Sequence, residues 1–351
     1  LKDGEPARKV SYHLRQEGNQ KILFMANIDR EKQYETTVKI RGKGKVEEWN
    51  PFNGEIHSLP IRLEGDYMLL NLSFPPVGSH LIVINENEEP LICKEGRVKA
   101  KKIREIDLSK KWRIKRLDPN VLTLDRCRIK LENGQYGEVI PVWRAYTLIR
   151  EKQLLGSTRV GSPFSVEYEF ENGLESADGK QIYLVLENPE KYNIKVNGHK
   201  IQYRDIGYWV DISFKKIDIQ KLLKQGRNTI EISGKIDFET EIEDCYIIGD
   251  FAVENIDNKH FRIVEEKKEV ESGNLVYQGY PFFAGTISYS QEFEVQEVKG
   301  KVILEIKDLN AVVAKVLLNS KEAGYVFVKP HELDITGILK DGTNTLEIQI
   351  T

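Results

Sequence analysis

The stretch IDIQKLLKQGRNTIEI (217–232) recurs near the end of the chain as LDITGILKDGTNTLEI (333–348), identical at nine of sixteen positions. In the first copy, Asp218 can accept a backbone N–H that the first turn of a helix leaves unpaired. Gly226 can adopt the left-handed conformation that ends a helix. The residues that follow alternate between polar and apolar, as in a half-buried strand. Each copy therefore predicts a short helix, a glycine stop and a returning strand.

Two further pairs of matching segments lie upstream of these copies. They are IYLVLENPEKYNIKVNG (182–198) with VILEIKDLNAVVAKVLLNS (302–320), and more weakly PFSVEYEF (163–170) with TISYSQEFEV (286–295). The longer pair reads as two strands that end in a turn, at Asn197-Gly198 and at Asn319-Ser320. An Asn-Gly pair between alternating runs is a strong hairpin signal, since both residues tolerate positive φ. We therefore interpret the chain as carrying a duplicated β-domain.

The length and composition are those of ordinary folded domains. The chain has 351 residues and a formal net charge of −3, which predicts two or three domains with real cores. This near-neutral balance lacks the clustered positive face that nucleic acids and anionic membranes require. No run approaches the ~18 consecutive apolar residues of a membrane span. We therefore expect neither a nucleic-acid partner nor a membrane association.

The cysteines bear on the cellular compartment. Cys93, Cys127 and Cys245 are widely spaced and form no C-x-x-C pair, and an odd count favours a reducing, cytoplasmic setting. Secretion stays open, because the chain starts at Leu1 and we expect the N-terminus of a parent protein to be missing. The chain also ends on a strand inside a repeat unit, which predicts a piece of a longer polypeptide.

Turn signals and composition divide the chain into three blocks and a connection. We expect residues 1–88 to form an antiparallel β-sandwich, 89–105 a linker, 106–263 a jelly-roll β-sandwich and 264–351 a second, truncated jelly roll. Basic residues gather in the linker, but neighbouring glutamates dilute their charge. This pattern is typical of a solvated connection.

Helical periodicity is confined to short pieces, QKLLK (220–224), GILK (337–340) and VEEKKEV (264–270). A (βα)₈ barrel needs helices of about 10–15 residues between its strands. The sequence therefore predicts an all-β fold of tandem antiparallel β-sandwiches. Three tryptophans fall within strand-like patterns that predict core packing; they are Trp49, Trp112 and Trp143.

The first block resembles the small antiparallel domain that follows the catalytic barrel in many glycoside hydrolases. The segments that carry this resemblance are FMANID (24–29), VEEWNPFNGE (46–55) and SFPPVGSHLIVI (73–84). In such domains the Trp-x-Pro-x-x-Gly turn and the final apolar strand are structural.

The other two blocks resemble further parts of large glycosidases. The third block is similar to the sugar-binding jelly roll of glycoside hydrolase family 2 through TISYSQEFEV, VAKVLLNSKEAGYVF (313–327) and the second copy of the repeat. Ser320 replaces the turn glycine of that family, whereas the positions that fit are Gly324, Asp334, Gly342 and Asn344. The second block looks like the β-rich regions of family 106-type rhamnosidases through DPNVLTLDRCRI (118–129), EDCYIIGDF (243–251) and GYPFFAGTISY (279–289).

These resemblances imply galactose-binding-domain-like jelly rolls in the non-catalytic, C-terminal part of a bacterial glycoside hydrolase. Such a part supports its own catalytic domain and binds carbohydrate. A stand-alone carbohydrate-binding or adhesion protein is one alternative, which the upstream reading frame would distinguish. An all-β polysaccharide-degrading enzyme is another, and it predicts a deep cleft with clustered Tyr, His, Arg or carboxylates.

The sequence predicts no catalytic residue, metal site or cofactor. Its six histidines show no metal-ligand spacing, and it has neither a nucleophile elbow nor a phosphate-binding glycine loop. Paired carboxylates for glycoside hydrolysis could be sought at Asp205 and Glu243-Asp244, which we expect to be solvated loop residues. Sugars stack on exposed aromatic faces. The candidates for this role are Tyr208, Trp209, Tyr280, Phe283 and Tyr325, with Phe282 beside them.

Overall fold

The computed structural model describes residues 5–92 and 102–351 and confirms the all-β class. Cys93 and most of the predicted linker lie outside these residues. The strands of the first block are β1 (Val10–Glu17), β2 (Gln20–Asn27), β3 (Tyr34–Arg41), β4 (Lys45–Trp49), β5 (Ile56–Ser58), β6 (Arg62–Glu64), β7 (Tyr67–Phe74) and β8 (Ser79–Asn85).

The second block contains most of the remaining strands. They are β9 (Lys111–Arg116), β10 (Asn120–Leu124), β11 (Arg126–Leu131), β12 (Ile140–Pro141), β13 (Pro163–Asn172), β14 (Ile182–Glu187), β15 (Asn193–Val196), β16 (His199–Ile201), β17 (Tyr208–Trp209), β18 (Asp211–Asp218), β19 (Gly226–Lys235), β20 (Cys245–Gly249), β21 (Ala252–Asn255) and β22 (Phe261–Val264). The third block adds β23 (Glu269–Glu271), β24 (Ile287–Val295), β25 (Ile303–Glu305), β26 (Ala314–Leu318), β27 (Lys321–Val326), β28 (Glu332–Asp334) and β29 (Gly342–Ile350).

The chain separates into two compact units. Unit 1 comprises Leu1–Ile106, Glu297–Ala314 and Lys321–Lys340; unit 2 comprises Asp107–Gln296, Lys315–Ser320 and Asp341–Thr351.

Unit 1 contains a small sandwich built from a five-stranded sheet, β1-β2-β8-β4-β5, and a three-stranded sheet, β3-β7-β6. Strand β7 reads YMLLNLSF, and its alternation buries Met68, Leu70, Leu72 and Phe74 because successive side chains point to opposite faces of a sheet. Strand β2 ends at the buried Asn27, whose Nδ2 donates to the carbonyls of Lys32 and Pro75, both at 2.8 Å. These bonds hold the turn that follows the strand.

Unit 2 contains a larger sandwich. One sheet has the order β10-β20-β14-β18-β17, and the other has the order β12-β11-β13-β19-β15-β16, with β21 and β22 attached through β13. Their facing sides enclose a core that includes Tyr168, Leu184, Ile230 and Ile247. The described ladders are antiparallel, apart from the β13–β22 pair.

A further sheet of unit 2 brings β9 beside β24, with Ile114 opposite Tyr289, and continues through β29 to β26. Strands of the second and third blocks thus share a sheet. The domain limits 106–263 and 264–351, and the galactose-binding type of jelly roll, stay predictions.

The first copy of the repeated phrase closes its sheet through a pair of asparagines. Asn197 Nδ2 donates to Asn228 Oδ1 at 2.8 Å, and the Thr229 N–H donates to Asn197 Oδ1 at 3.0 Å. Asn228, fully buried, also donates to the carbonyl of Gly226 at 2.8 Å. We call this arrangement the asparagine lock; it ties the hairpin turn to the returning strand and satisfies a buried amide.

The second copy forms the same lock. Asn319 Nδ2 donates to Asn344 Oδ1 at 2.8 Å, and the Thr345 N–H donates to Asn319 Oδ1 at 3.1 Å. Asn344 is again fully buried and donates to the Gly342 carbonyl at 3.0 Å. The two copies therefore share the lock and the returning strand, whereas the first has a 3₁₀ turn at Gln220–Leu222 and residues 337–340 of the second are not helical.

The helices differ from the sequence-based expectation. Residues Val142–Leu154 form the helix α1, whose strand-like pattern was misleading, and its Trp143 is 68% exposed rather than packed in a core. The first repeat forms only a 3₁₀ turn, Gln220–Leu222. Residues 264–270 are not helical, because β22 ends and β23 begins within them. No helix in the described ranges has both the length and the apolar character needed to cross a bilayer.

Candidate functional site

The outer side of the sheet β10-β20-β14-β18-β17 in unit 2 is rich in aromatic residues. On β14, Leu184 points into the core, so Tyr183 and Val185 point outward. On β20, Ile247 points inward and Tyr246 lies outward opposite Val185. The sheet therefore presents a second apolar surface, away from the core of the sandwich.

Five rings pack on this surface, and one of them, Phe282, comes from outside the sheet. We call the four rings carried by strands of the sheet the aromatic face: Tyr183, Trp209, Phe214 and Tyr246. The ring centroids of Trp209 and Tyr246 are 5.4 Å apart, and those of Phe214 and Tyr246 are 5.9 Å apart. The ammonium of Lys216 lies 5.5 Å from the centroid of Tyr183. Close-packed rings with a flanking cation offer both stacking area and a hydrogen-bond donor.

The rings are fixed from below by three buried aliphatic side chains, Val121, Val185 and Ile248. The rings themselves are only half-buried, so each has one side supported and part of its surface in solvent. Burial, followed by the charge of Asp244, raises the pKa of Tyr246, so its phenol stays protonated and can donate a hydrogen bond. The rings of the aromatic face are thus supported on one side and partly exposed on the other.

Two of the predicted sugar-binding residues, Tyr208 and Trp209, lie on the edge strand β17, but they are not equivalent. A register shift falls between them. Trp209 joins the aromatic face, whereas Tyr208 does not belong to that cluster and is 54% exposed. The structure therefore separates two neighbours that the sequence treats alike.

Among the other predicted residues, Phe282 packs against the buried aliphatic residues of the aromatic face, and the remaining three lie elsewhere. Tyr280 is only 3% exposed, and its hydroxyl donates to Glu266 Oε1 at 2.7 Å; burial and then this carboxylate raise its pKa. Phe283 is half-buried, with its ring centroid 5.9 Å from that of Tyr280. Tyr325 is 50% exposed and belongs to unit 1. The exposed surface of Tyr280 is too small for a sugar to stack on it.

Sequence reasoning missed Tyr183, Phe214 and Tyr246, three of the four rings. Tyr183 and Tyr246 occur in strands whose alternate positions fill the core, and single aromatic residues there are usually taken as core residues. Phe214 occurs in β18, where Ile217 is the one buried residue. The signal that could have found them is the alternation of side chains between the two faces of a strand. In CYIIG (245–249), Tyr246 lies between the buried Cys245 and Ile247 and therefore points to the opposite face.

Asp205 is held in a turn. Its Oδ1 accepts the N–H of Gly207 at 2.8 Å, and its Oδ2 lies 2.9 Å from the Lys215 ammonium. The backbone N–H and then Lys215 lower its pKa. Asp205 is thus an exposed turn residue paired with Lys215.

Glu243 and Asp244 lie in a loop, as expected; Glu243 is exposed and Asp244 is half-buried. They border a cavity of about 440 Å³ in unit 2, together with residues of α1. Glu243 also lines a neighbouring cavity of about 330 Å³. Burial raises the pKa of both carboxyls, and neighbouring carboxylates raise it further. Across the described residues, no group of three or more potential ligands is arranged to hold a metal ion.

The fold described above defines an all-β protein of several sheets. No family model matches the chain. A protein of Formosa agariphila named "Putative beta-glucuronidase" is 40% identical over 78 residues, which are 21% of this chain and 7% of that protein.

Two solved structures align with almost all of this chain. A rhamnosidase from Novosphingobium sp. PP1Y aligns with 99% of this chain and 20% of its own, with 13% identity and a TM-score of 0.43. An alpha-L-rhamnosidase of Streptomyces avermitilis, solved with L-rhamnose, aligns with 97% of this chain and 36% of its own, with 12% identity and a TM-score of 0.33. The chain spans less than two-thirds of the length of each of these three proteins.

Proposed function

We propose that this chain is a non-catalytic β-sandwich region of a larger bacterial glycoside hydrolase, which supports the catalytic domain and holds carbohydrate on the aromatic face. The 78-residue match to a protein named as a glucuronidase supports the association with glycoside hydrolysis. The observation that carries the binding role is the cluster of Tyr183, Trp209, Phe214 and Tyr246 on the outer side of a sheet.

The physical argument rests on the supported rings. The C–H surface of a pyranose is apolar and packs on an aromatic ring, while its hydroxyls need polar partners at the rim. Lys216 supplies a donor beside Tyr183. Because the rings are already fixed by Val185 and Ile248, little side-chain entropy is lost when a glycan binds.

The test is binding of the isolated chain to an array of polysaccharides, followed by affinity measurement on a retained polysaccharide. We expect Trp209→Ala to weaken binding by about tenfold or more, which corresponds to about 1.4 kcal/mol. Tyr277→Ala is the matched control, because Tyr277 is an exposed aromatic residue outside the face. Retention of no polysaccharide, or equal loss in both variants, would contradict the proposal.

An all-β enzyme is a second candidate, and one observation favours it: the 440 Å³ cavity gathers Asp125, Glu243, Asp244 and Arg126. Turnover of aryl-glycosides separates the two functions. Under our proposal the chain shows none. Hydrolysis that Asp244→Asn or Glu243→Gln abolishes would establish the enzyme instead.

A further inference from the structure

The 440 Å³ cavity of unit 2 is built where two neighbouring strands end. Strands β10 and β20 pair with Leu124 opposite Cys245, so the next residues outward, Asp125 and Asp244, lie side by side. Helix α1 begins close by, because the Val142 N–H donates to the Asp125 carbonyl at 2.9 Å. Strand register and this bond together fix the position of the cavity.

The walls of this cavity combine aromatic and polar groups. Trp143 and Tyr146, on α1, supply the aromatic side. Arg126, at the start of β11, supplies a guanidinium that makes one long bond, to the Val139 carbonyl at 3.4 Å. Its remaining N–H groups are therefore available to a ligand.

The carboxylates of the cavity provide acceptors. Asp125, Glu243 and Asp244 line it, and neither a hydrogen bond nor an ion pair to another described residue engages their side chains. Burial and mutual repulsion raise the pKa of Asp244, with Asp125 as the charged neighbour. Three carboxylates against one guanidinium make the cavity net negative.

We propose that this cavity is a separate binding site for a single neutral pyranose, stacked on Trp143, with its hydroxyls bonded to Arg126 and to the carboxylates. Sugar hydroxyls both donate and accept, so they match a site that offers acceptors and donors together. The volume lies in the range of small-ligand pockets, about 300–1,000 Å³. An acidic sugar is excluded, because its carboxylate would face three others.

The site is distinct from the aromatic face, since the two share no residue; Asp244 acts on the aromatic face only through the effect of its charge on the pKa of Tyr246. A polysaccharide on the aromatic face therefore does not report on the cavity. The test must therefore observe a signal from Trp143 itself. The chain has four tryptophans, so only four indole N–H resonances need to be assigned.

The experiment is a titration of the ¹⁵N-labelled chain, with the four indole N–H resonances assigned by single Trp variants. The probes are methyl β-D-glucopyranoside, methyl β-D-galactopyranoside, L-rhamnose and D-glucuronate. We expect at least one neutral sugar to shift the Trp143 resonance with a millimolar dissociation constant, and D-glucuronate to leave it unchanged. Calorimetry should show an affinity loss of about tenfold or more in Trp143→Ala.

Trp49→Ala is the matched control, since Trp49 is partly exposed but lies in unit 1; it should bind as the parent does. Asp244→Asn should lower the affinity for the neutral sugar and admit D-glucuronate, because it removes one repelling charge. A Trp143 resonance that no neutral sugar moves, or that D-glucuronate moves most, would overturn the proposal.

Discussion

The imidazole of His80 is held between two acceptors in unit 1. Its Nδ1 lies 2.5 Å from Glu48 Oε1, and its Nε2 lies 3.0 Å from the Ser73 carbonyl oxygen. Phe74 meets the ring edge-on, with centroids 4.7 Å apart. Both ring nitrogens can donate only in the imidazolium form, so the geometry favours the protonated state.

The pKa of His80 follows from two opposing effects. Burial lowers it, but the bonds to Glu48 and to the Ser73 carbonyl, with the charge of Glu48, outweigh burial and raise it above its usual 6.5. A raised pKa in the folded state stabilises the protein fully below the unfolded value. That stabilisation is lost as the pH rises through the folded pKa.

We therefore expect the free energy of unfolding of unit 1 to fall as the pH rises from about 6 to about 8.5. Urea unfolding at the two pH values measures this change, and His80→Gln should remove it. His57→Gln is the control, because His57 is exposed and lies 3.3 Å from Glu55. An unchanged pH dependence in His80→Gln would show that other groups cause it.

At the scale of the element, the two repeat hairpins differ at one turn position. Asn197 and Gly198 have φ values of 51° and 83°, and Asn319 and Ser320 have φ values of 53° and 64°. The turn thus requires positive φ at both positions. Serine carries a conformational cost there that glycine does not.

Ser320→Gly should therefore stabilise the protein by about 0.5–1 kcal/mol, because relief of the left-handed strain exceeds the extra freedom of glycine in the unfolded chain. The reciprocal change, Gly198→Ser, should destabilise it by a similar amount. A Cβ at Gly198 meets no heavy atom within 4 Å, so this loss is conformational. Denaturant unfolding of both variants checks the prediction. A change of the free energy of unfolding in the same direction in both variants would refute it.

At the scale of the whole molecule, local signals predicted the closing elements of the repeat. The positive φ values at Gly226 and Gly342, and the buried asparagines Asn228 and Asn344, all lie within the repeated phrase. The fold class followed from strand spacing in the same way.

The binding surfaces could not be predicted from such local signals. Tyr183 and Tyr246 become neighbours of Trp209 only through sheet order, which joins strands far apart in sequence. Pairing of β10 with β20 likewise brings Asp125 beside Asp244. Helix α1 was missed because its residues, VWRAYTLIREKQL, mix β-branched and aromatic residues with charged ones, and their helical period is weak.

The two asparagine locks should also differ in how readily they lose an amide group by deamidation. An asparagine followed by glycine loses its side-chain amide readily, since the unhindered glycine nitrogen can attack it, and Asn197-Gly198 is such a pair whereas Asn319-Ser320 is not. Deamidation of Asn197 would replace its NH₂ donor with a carboxylate oxygen facing Asn228 Oδ1, at a place where 2.8 Å now separates donor and acceptor. Storage at alkaline pH should therefore loosen the first repeat before the second, and peptide mass mapping would locate the change.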